Sequence, residues 1–247
     1  MTARGRLGCL FLVASGVWGS VSAQEFTPVR LTAHAGTSAN PRIEMDATCL
    51  YVVWEDDRSG SSQIWWGKFD LAGAPVAGPV QVTSSGTPSQ PAVGVDALGN
   101  SYVVWTTDAA YFGSIYGAKL DPEGNVIVPA QQVSEGQVTN PDVAVTPDGV
   151  CIVVGDKRGT TDHNVHIYRR TSDLGPVCVA KKPGTAGIGD GRVPAVEADA
   201  SGIAHVLFRD VDIFNYYIKG HNTDAGCGPS GSTTVLTGDY ARPAIAW

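Results

Sequence analysis

The residues best suited to chemistry are carboxylates, guanidinium groups and rings in four polar stretches. Asp57 and Arg58 lie in DDRSGSS (56–62), and Asp108, Tyr111 and Phe112 in TDAAYFG (107–113). Arg158, Asp162 and His163 lie in DKRGTTDHN (156–164), and Arg209, Asp210 and Asp212 in RDVDIFN (209–215). A pair of carboxylates across a pocket can serve as acid and base on a glycosidic bond, and Glu55, Asp57 and Asp210 are of the right type. The forks of Arg58 and Arg158 suit a carboxylate or sulfate on an acidic sugar. Tyr111, Phe112 and Trp66 offer exposed rings for contact with a ligand.

A plainer reading competes with each of these. The spacing Asp56-x-Arg58 returns as Asp156-x-Arg158. A catalytic group is needed once, whereas a structural one recurs with its unit. The recurring Asp is therefore expected to cap backbone N–H groups and pair with the Arg two residues on. No singular set of nucleophile, acid and oxyanion donor stands out, so no catalytic residue is assigned. His163 and His166, three apart on a strand border, point to opposite faces and make a poor metal pair. No metal or cofactor is expected; Ca²⁺ is a weak alternative, since no Asp-x-Asp-x-Asp-Gly loop is present.

These stretches are positioned by a phrase that recurs. Pro41, Pro91, Pro141, Pro194 and Pro243 follow one another at steps of 50, 50, 53 and 49 residues. After each of the first four come a short strand-like run, a turn, an apolar run such as LYVVW or SYVVW, a polar loop, an aromatic run and a closing run such as PVQVT. Asp and Gly in the turns supply side-chain caps and positive φ. Four antiparallel strands per unit of this length predict the blade of an all-β propeller. The predicted boundaries are a propeller domain over 24–247, with blades starting near 41, 91, 141, 194 and 243. Only the opening RPAIAW of the fifth copy is included. Four blades and the start of a fifth are thus expected, as a fragment of a larger ring; a four-bladed ring with a spare strand is the competing reading. Pro28–Thr32 (PVRLT) matches the closing strands, and is expected to act as an outer strand. Loops between second and third strands share a face with the connections between blades, which makes that loop face the expected ligand side.

Composition sets further bounds. A net charge of −7 gives no electrostatic footprint for nucleic acid. No apolar run reaches the ~18 residues that would suggest a membrane span. Residues 1–23 read as a signal peptide: Arg4 and Arg6, an apolar core over 7–17, then Val21-Ser22-Ala23. Export is therefore expected, to the periplasm or beyond the cell. Cys49, Cys151, Cys178 and Cys227 remain after its removal. Cys178 and Cys227, in consecutive repeats, are the better candidate disulfide; four free thiols are the alternative.

The frame carried by Pro41, Asp46, Tyr51–Asp56, Arg58, Gly60, Ile64, Trp65, Lys68, Asp70 and Gly73 resembles the sialidase-like (BNR-type) propeller repeats of secreted bacterial proteins. The resemblance spans most of 28–247 and implies a propeller and export. The Asp-box Ser-x-Asp-x-Gly-x-Thr-Trp of those repeats is absent, so sialidase activity is not implied. The reading is a secreted propeller module that binds carbohydrate, a cell-surface polymer or protein on its loop face without catalysis. The alternative is a sialidase-like glycoside hydrolase using loop-face carboxylates.

Overall fold

The computed structural model describes residues 28–107, 113–158, 163–181, 192–211, 216–223 and 229–237. Among the described residues sixteen strands form four sheets of four, each an antiparallel meander in chain order. The first blade is β1 (Ser38–Met45), β2 (Cys49–Asp56), β3 (Gln63–Asp70) and β4 (Pro75–Gln81). The second is β5 (Pro88–Val95), β6 (Ser101–Thr107), β7 (Ser114–Leu120) and β8 (Val126–Gln132). The third is β9 (Val138–Val145), β10 (Cys151–Arg158), β11 (His163–Arg170) and β12 (Pro176–Lys181). The fourth is β13 (Arg192–Ala198), β14 (Ala204–Val211), β15 (Tyr216–Thr223) and β16 (Pro229–Thr237). This is a β-propeller. The opening strands β1, β5, β9 and β13 pack in succession and so stand innermost.

The turns show why Asp and Gly recur. The Asp46 carboxylate accepts from the backbone N of Thr48 and Cys49, both at 2.7 Å. Asp96 does the same for Leu98 and Asn100, and Asp199 for Ser201 and Ile203. Three residues after the capping residue the chain needs positive φ, and Gly73, Gly99, Gly124, Gly149 and Gly202 provide it. Leu174 takes that place at φ 62° in the third blade, and its side chain is buried between blades instead.

Each opening strand carries a β-bulge at its marker proline, where no N–H is available for the ladder. The residue before the proline is left-handed in three blades: Asn40 at φ 49°, Gln90 at 54° and Asn140 at 51°.

The blades are buried on both faces, so the second strands read as continuous apolar runs rather than alternating ones. Tyr51, Val53, Ile64 and Trp66 of the first blade meet Val93, Val103 and Trp105 of the second. Tyr102, Val104 and Ile115 then meet Val143, Val153 and Tyr168 of the third. Ile152, Val154 and Ile167 meet Val196, Val206 and Phe208 of the fourth. The second and third blades thus each have a leading face toward the preceding blade and a trailing face toward the following one.

Three expectations change. Trp66 is not an exposed binding ring: it is fully buried between the first two blades and donates from Nε1 to Ser101 Oγ at 2.9 Å. Pro28–Thr32 is not a strand; among the described residues regular pairing begins at Ser38, and Leu31 packs beside Val52, Trp54 and Phe69. The Asp-x-Arg echo in the third repeat is out of step. Asp156 pairs across the strand with Thr139, as Glu55 pairs with Ala39, so Asp156 occupies the place of Glu55 rather than of Asp56.

Candidate functional site

At the loop end of the first blade one carboxylate gathers every nearby donor. Asp56 accepts from Arg58 Nε at 2.9 Å and Nη2 at 2.6 Å, a bidentate fork. It also accepts from Arg58 N, Trp54 Nε1 and Ser38 Oγ at 3.0, 3.0 and 2.8 Å. The guanidinium lies 4.4 Å over the Trp65 ring and 5.9 Å from that of Trp54, so it is held by cation–π contact as well. The Arg58 fork, chiefly, and the other donors hold the Asp56 carboxyl well below the usual carboxylate range, against the opposing effect of burial. Asp57 turns the other way and accepts from Thr37 N at 2.8 Å.

Nearer the axis, polar side chains hand hydrogen bonds from blade to blade. Glu55 Oε1 accepts from Asn40 Nδ2 within the first blade and from the backbone N of Gln90 in the second, at 2.9 and 2.8 Å. Gln90 repeats the move one blade on. Its Oε1 accepts from Asn140 N at 3.1 Å and from Thr106 Oγ1 at 3.0 Å, and its Nε2 donates to Asn140 Oδ1 at 2.9 Å. The N–H groups caught in this way belong to the left-handed residues of the bulges, which the ladder leaves over.

Deeper on the opening strands lies a second set of carboxylates. Glu44 of β1, Asp142 of β9 and Glu197 of β13 feel one another electrostatically, although they come from three blades. Asp142 Oδ2 accepts from Val196 N at 2.8 Å, which ties the third blade to the fourth. Desolvation pushes the Asp142 carboxyl up to about 6; Arg42 works against this shift and Glu44 with it. Desolvation, then Glu44 and Asp142, push Glu197 up to about 7. Glu44 is raised too, by its own burial. Asp142 keeps partial surface exposure yet is largely desolvated, as expected where strands converge on an axis. Raised carboxyls held against like charges can exchange protons near neutral pH.

The residues singled out from the sequence are not all gathered at one place. Asp57 and Arg58 follow β2 directly. Arg158 closes β10 opposite His163, which opens β11, and Arg209 and Asp210 lie within β14; all four stand on strands rather than in the expected loops. Asp108, Tyr111, Phe112, Asp162 and Asp212 lie outside the described residues. Cys178 is disulfide-bonded, and Cys227 lies outside the described residues. Cys49 and Cys151 are free, and burial pushes the Cys151 thiol up to about 12. Among the described residues no group of three or more His, Cys, Asp or Glu is arranged to hold a metal. Of the axial carboxylates and the Asn40–Glu55–Gln90–Asn140 relay, sequence reasoning singled out Glu55 alone, as a candidate acid or base rather than as a link between blades. Their one signal was charge inside an inner strand, as in the RIEM run after Pro41.

No family model matches the chain, and no curated protein does. Solved structures do. A protein of unknown function from Dyadobacter fermentans DSM 18053 is 10% identical, with a TM-score of 0.62 over 81% of this chain and 69% of that one. An endo-1,4-beta-xylanase from Bacteroides thetaiotaomicron VPI-5482 is 12% identical, with a TM-score of 0.50 over 80% of this chain and 72% of that one. At such identity the likeness is one of fold: both share the propeller architecture described above.

Proposed function

We propose that the chain is an exported propeller module, built from repeats of the sialidase-like kind, that binds a carbohydrate on its loop face without catalysis. The observation that carries this reading is the engagement of the loop-end carboxylates of the first blade. Glu55, Asp56 and Asp57 are each tied to protein donors, and Arg58 is committed to Asp56. Groups so held present a rigid polar rim but no free acid–base pair. The xylanase of similar fold makes polysaccharides the first ligand class to test. The test is a glycan array and affinity electrophoresis with residues 24–247. Retardation on a polysaccharide without release of sugar is expected. Binding to no glycan, together with binding to a protein or teichoic-acid-like polymer, would move the proposal to that ligand class.

A second reading is favoured by one observation, the raised axial carboxyls. A glycoside hydrolase needs one carboxyl protonated near neutral pH and another ionised. Glu197, pushed up to about 7, meets the first requirement, and Asp142, at about 6, is the more readily ionised of the two. Hydrolysis of aryl-glycosides that disappears in Glu197→Gln while glycan binding persists would establish this reading over the first.

A further inference from the structure

The two ends of the blades differ in what they expose. In a four-stranded meander the first and third connections share one end, and the second shares the other with the passages between blades. The first of these ends carries the Asx-capped turns, and it is continuous from blade to blade. A Cβ on Gly99 would meet Tyr51 Oη of the first blade at 3.2 Å, and one on Gly202 would meet Thr146 and Asp148 of the third at 3.9 and 4.0 Å. Between the second and third blades Gln131 Nε2 donates to Asp173 O at 2.8 Å.

Aliphatic side chains are exposed at this end, at the same place in successive blades. Val76, Ile127 and Val177 are the extra residues of a bulge at the start of β4, β8 and β12, each between two residues that pair with the third strand. They are 56%, 49% and 51% exposed. Leu71 and Leu98 stand in turns of the first and second blades, and Leu98 is 80% exposed. Val126 and Val29, the latter beside Gly73, widen the patch. Among the described residues outside β1, every exposed large aliphatic side chain stands at this end. A bulge blunts an edge strand whatever residue it holds, so it does not call for an aliphatic one. Half-exposed side chains add little to a core, and the recurrence of these three has no account in the packing of a blade.

The exposed charge at this end has one sign. Glu123, Asp148 and Asp173 are exposed there, and the capping carboxylates of Asp46, Asp96 and Asp199 are partly so. The cations are turned inward. Lys119 is buried 3.5 Å from Asp96, and the buried Arg169 and Arg170 donate to Gly202 O and Val133 O. Lys68 Nζ lies 5.1 Å over the Tyr51 ring. Arg30, at the rim beside Val29, is folded onto Thr32 O and His34 O.

We propose that the turn face of the first three blades is a docking surface for a basic protein segment that carries aliphatic side chains among its lysines or arginines. The charge selects this occupant. Carboxylates around an apolar patch complement cations at the rim of a protein interface. They repel an anionic lipid surface, and they repel the same face of a second copy. The surface lies at the far end of the blades from the loop ends, so it stands independently of carbohydrate binding there.

The test is selection of peptides from a random display library on the purified chain, followed by fluorescence anisotropy with the selected peptides. Sequences that combine Lys or Arg with Leu, Ile or Val are expected. Their binding should weaken about tenfold in the triple variant Leu98→Ser, Ile127→Ser, Val177→Ser, whose changes all fall at exposed positions. It should weaken about threefold in Glu123→Gln, Asp173→Asn, and also as salt is raised. Peptides that bind the triple variant as tightly as the original chain overturn the proposal. So do selected peptides without cations, or a selection that enriches no sequence. Binding to vesicles of phosphatidylcholine and phosphatidylglycerol that the triple variant loses would overturn it and give the face to a membrane. A dimer in solution that the triple variant dissolves would overturn it and give the face to a second copy.

Discussion

The loop-end lock of the first blade and the axial cluster use the same functional group under opposite conditions. Asp56 is buried with five donor contacts, and ionisation is what the surrounding groups favour. Asp142 and Glu197 are desolvated with few donors and with like charges nearby, so protonation is favoured there. The difference teaches that burial alone does not set the state of a carboxylate; the donors that reach it do. The lock consumes its charge in holding a blade edge, whereas the axial groups keep a titratable proton.

Removing the lock should have the largest effect. Asp56→Ala leaves a guanidinium, an indole N–H and a hydroxyl without their acceptor, and should cost about 3 kcal/mol in unfolding free energy by denaturant titration. A loss no larger than that of an exposed ion pair, ~0.5 kcal/mol, would show that the two regions differ less than their geometry says.

The pH dependence tests the contrast directly. A carboxyl whose folded pKa is raised costs stability above that pKa, and the cost is absent below the unfolded value. For Asp142 at about 6 and Glu197 at about 7, stability should fall as pH rises from about 4 to 8. Lowered carboxyls act in reverse. Asp56 lies below the ordinary range, and Asp46 is brought down to about 2 by donors from Tyr51, Thr48 and Cys49 that outweigh its burial. Their contribution is present above about pH 4 and lost as pH falls from there. The expected profile peaks near pH 4–5. Glu197→Gln should flatten its alkaline limb, with a gain of about 1–2 kcal/mol at pH 8 after allowance for partial solvent screening. A profile that rises from pH 5 to 8 would contradict the axial assignment.

The relay between them should show the smallest effect. Glu55→Gln keeps one acceptor oxygen for Asn40 and Gln90 and should change stability by less than about 0.5 kcal/mol. Glu55→Ala removes that acceptor and should cost about 1–2 kcal/mol. A large penalty for the glutamine variant would mean that the charge of Glu55, rather than its acceptor, joins the blades.

Much of the fold was legible because repetition averages out local ambiguity. Marker prolines, Asx-capped turns and apolar second strands say the same thing in several copies. The site was less legible for the same reason. The phrase around Asp56 and Arg58 was conspicuous in the sequence, and its groups turn out to be committed to one another. Glu44 and Glu197 both stand three residues after their marker proline, but Asp142 stands one after its own and the second repeat has Gly94 at the glutamate place, so no pattern common to the repeats joins the three. Trp66 was misread because its neighbour Trp65 fits the repeat and it does not; the strand register places it between two blades, opposite Val53.

By itself the amino-acid order determined the period, the four-stranded unit and the residues that turn the chain, since these depend on contacts within one repeat. Only the tertiary structure decided which carboxylates are held ionised and which are pushed toward protonation, since both states depend on groups brought together from other strands and blades. It alone also showed that Asp156 stands in the place of Glu55, because a one-residue shift in strand pairing is invisible to a motif but exchanges the two faces of a blade.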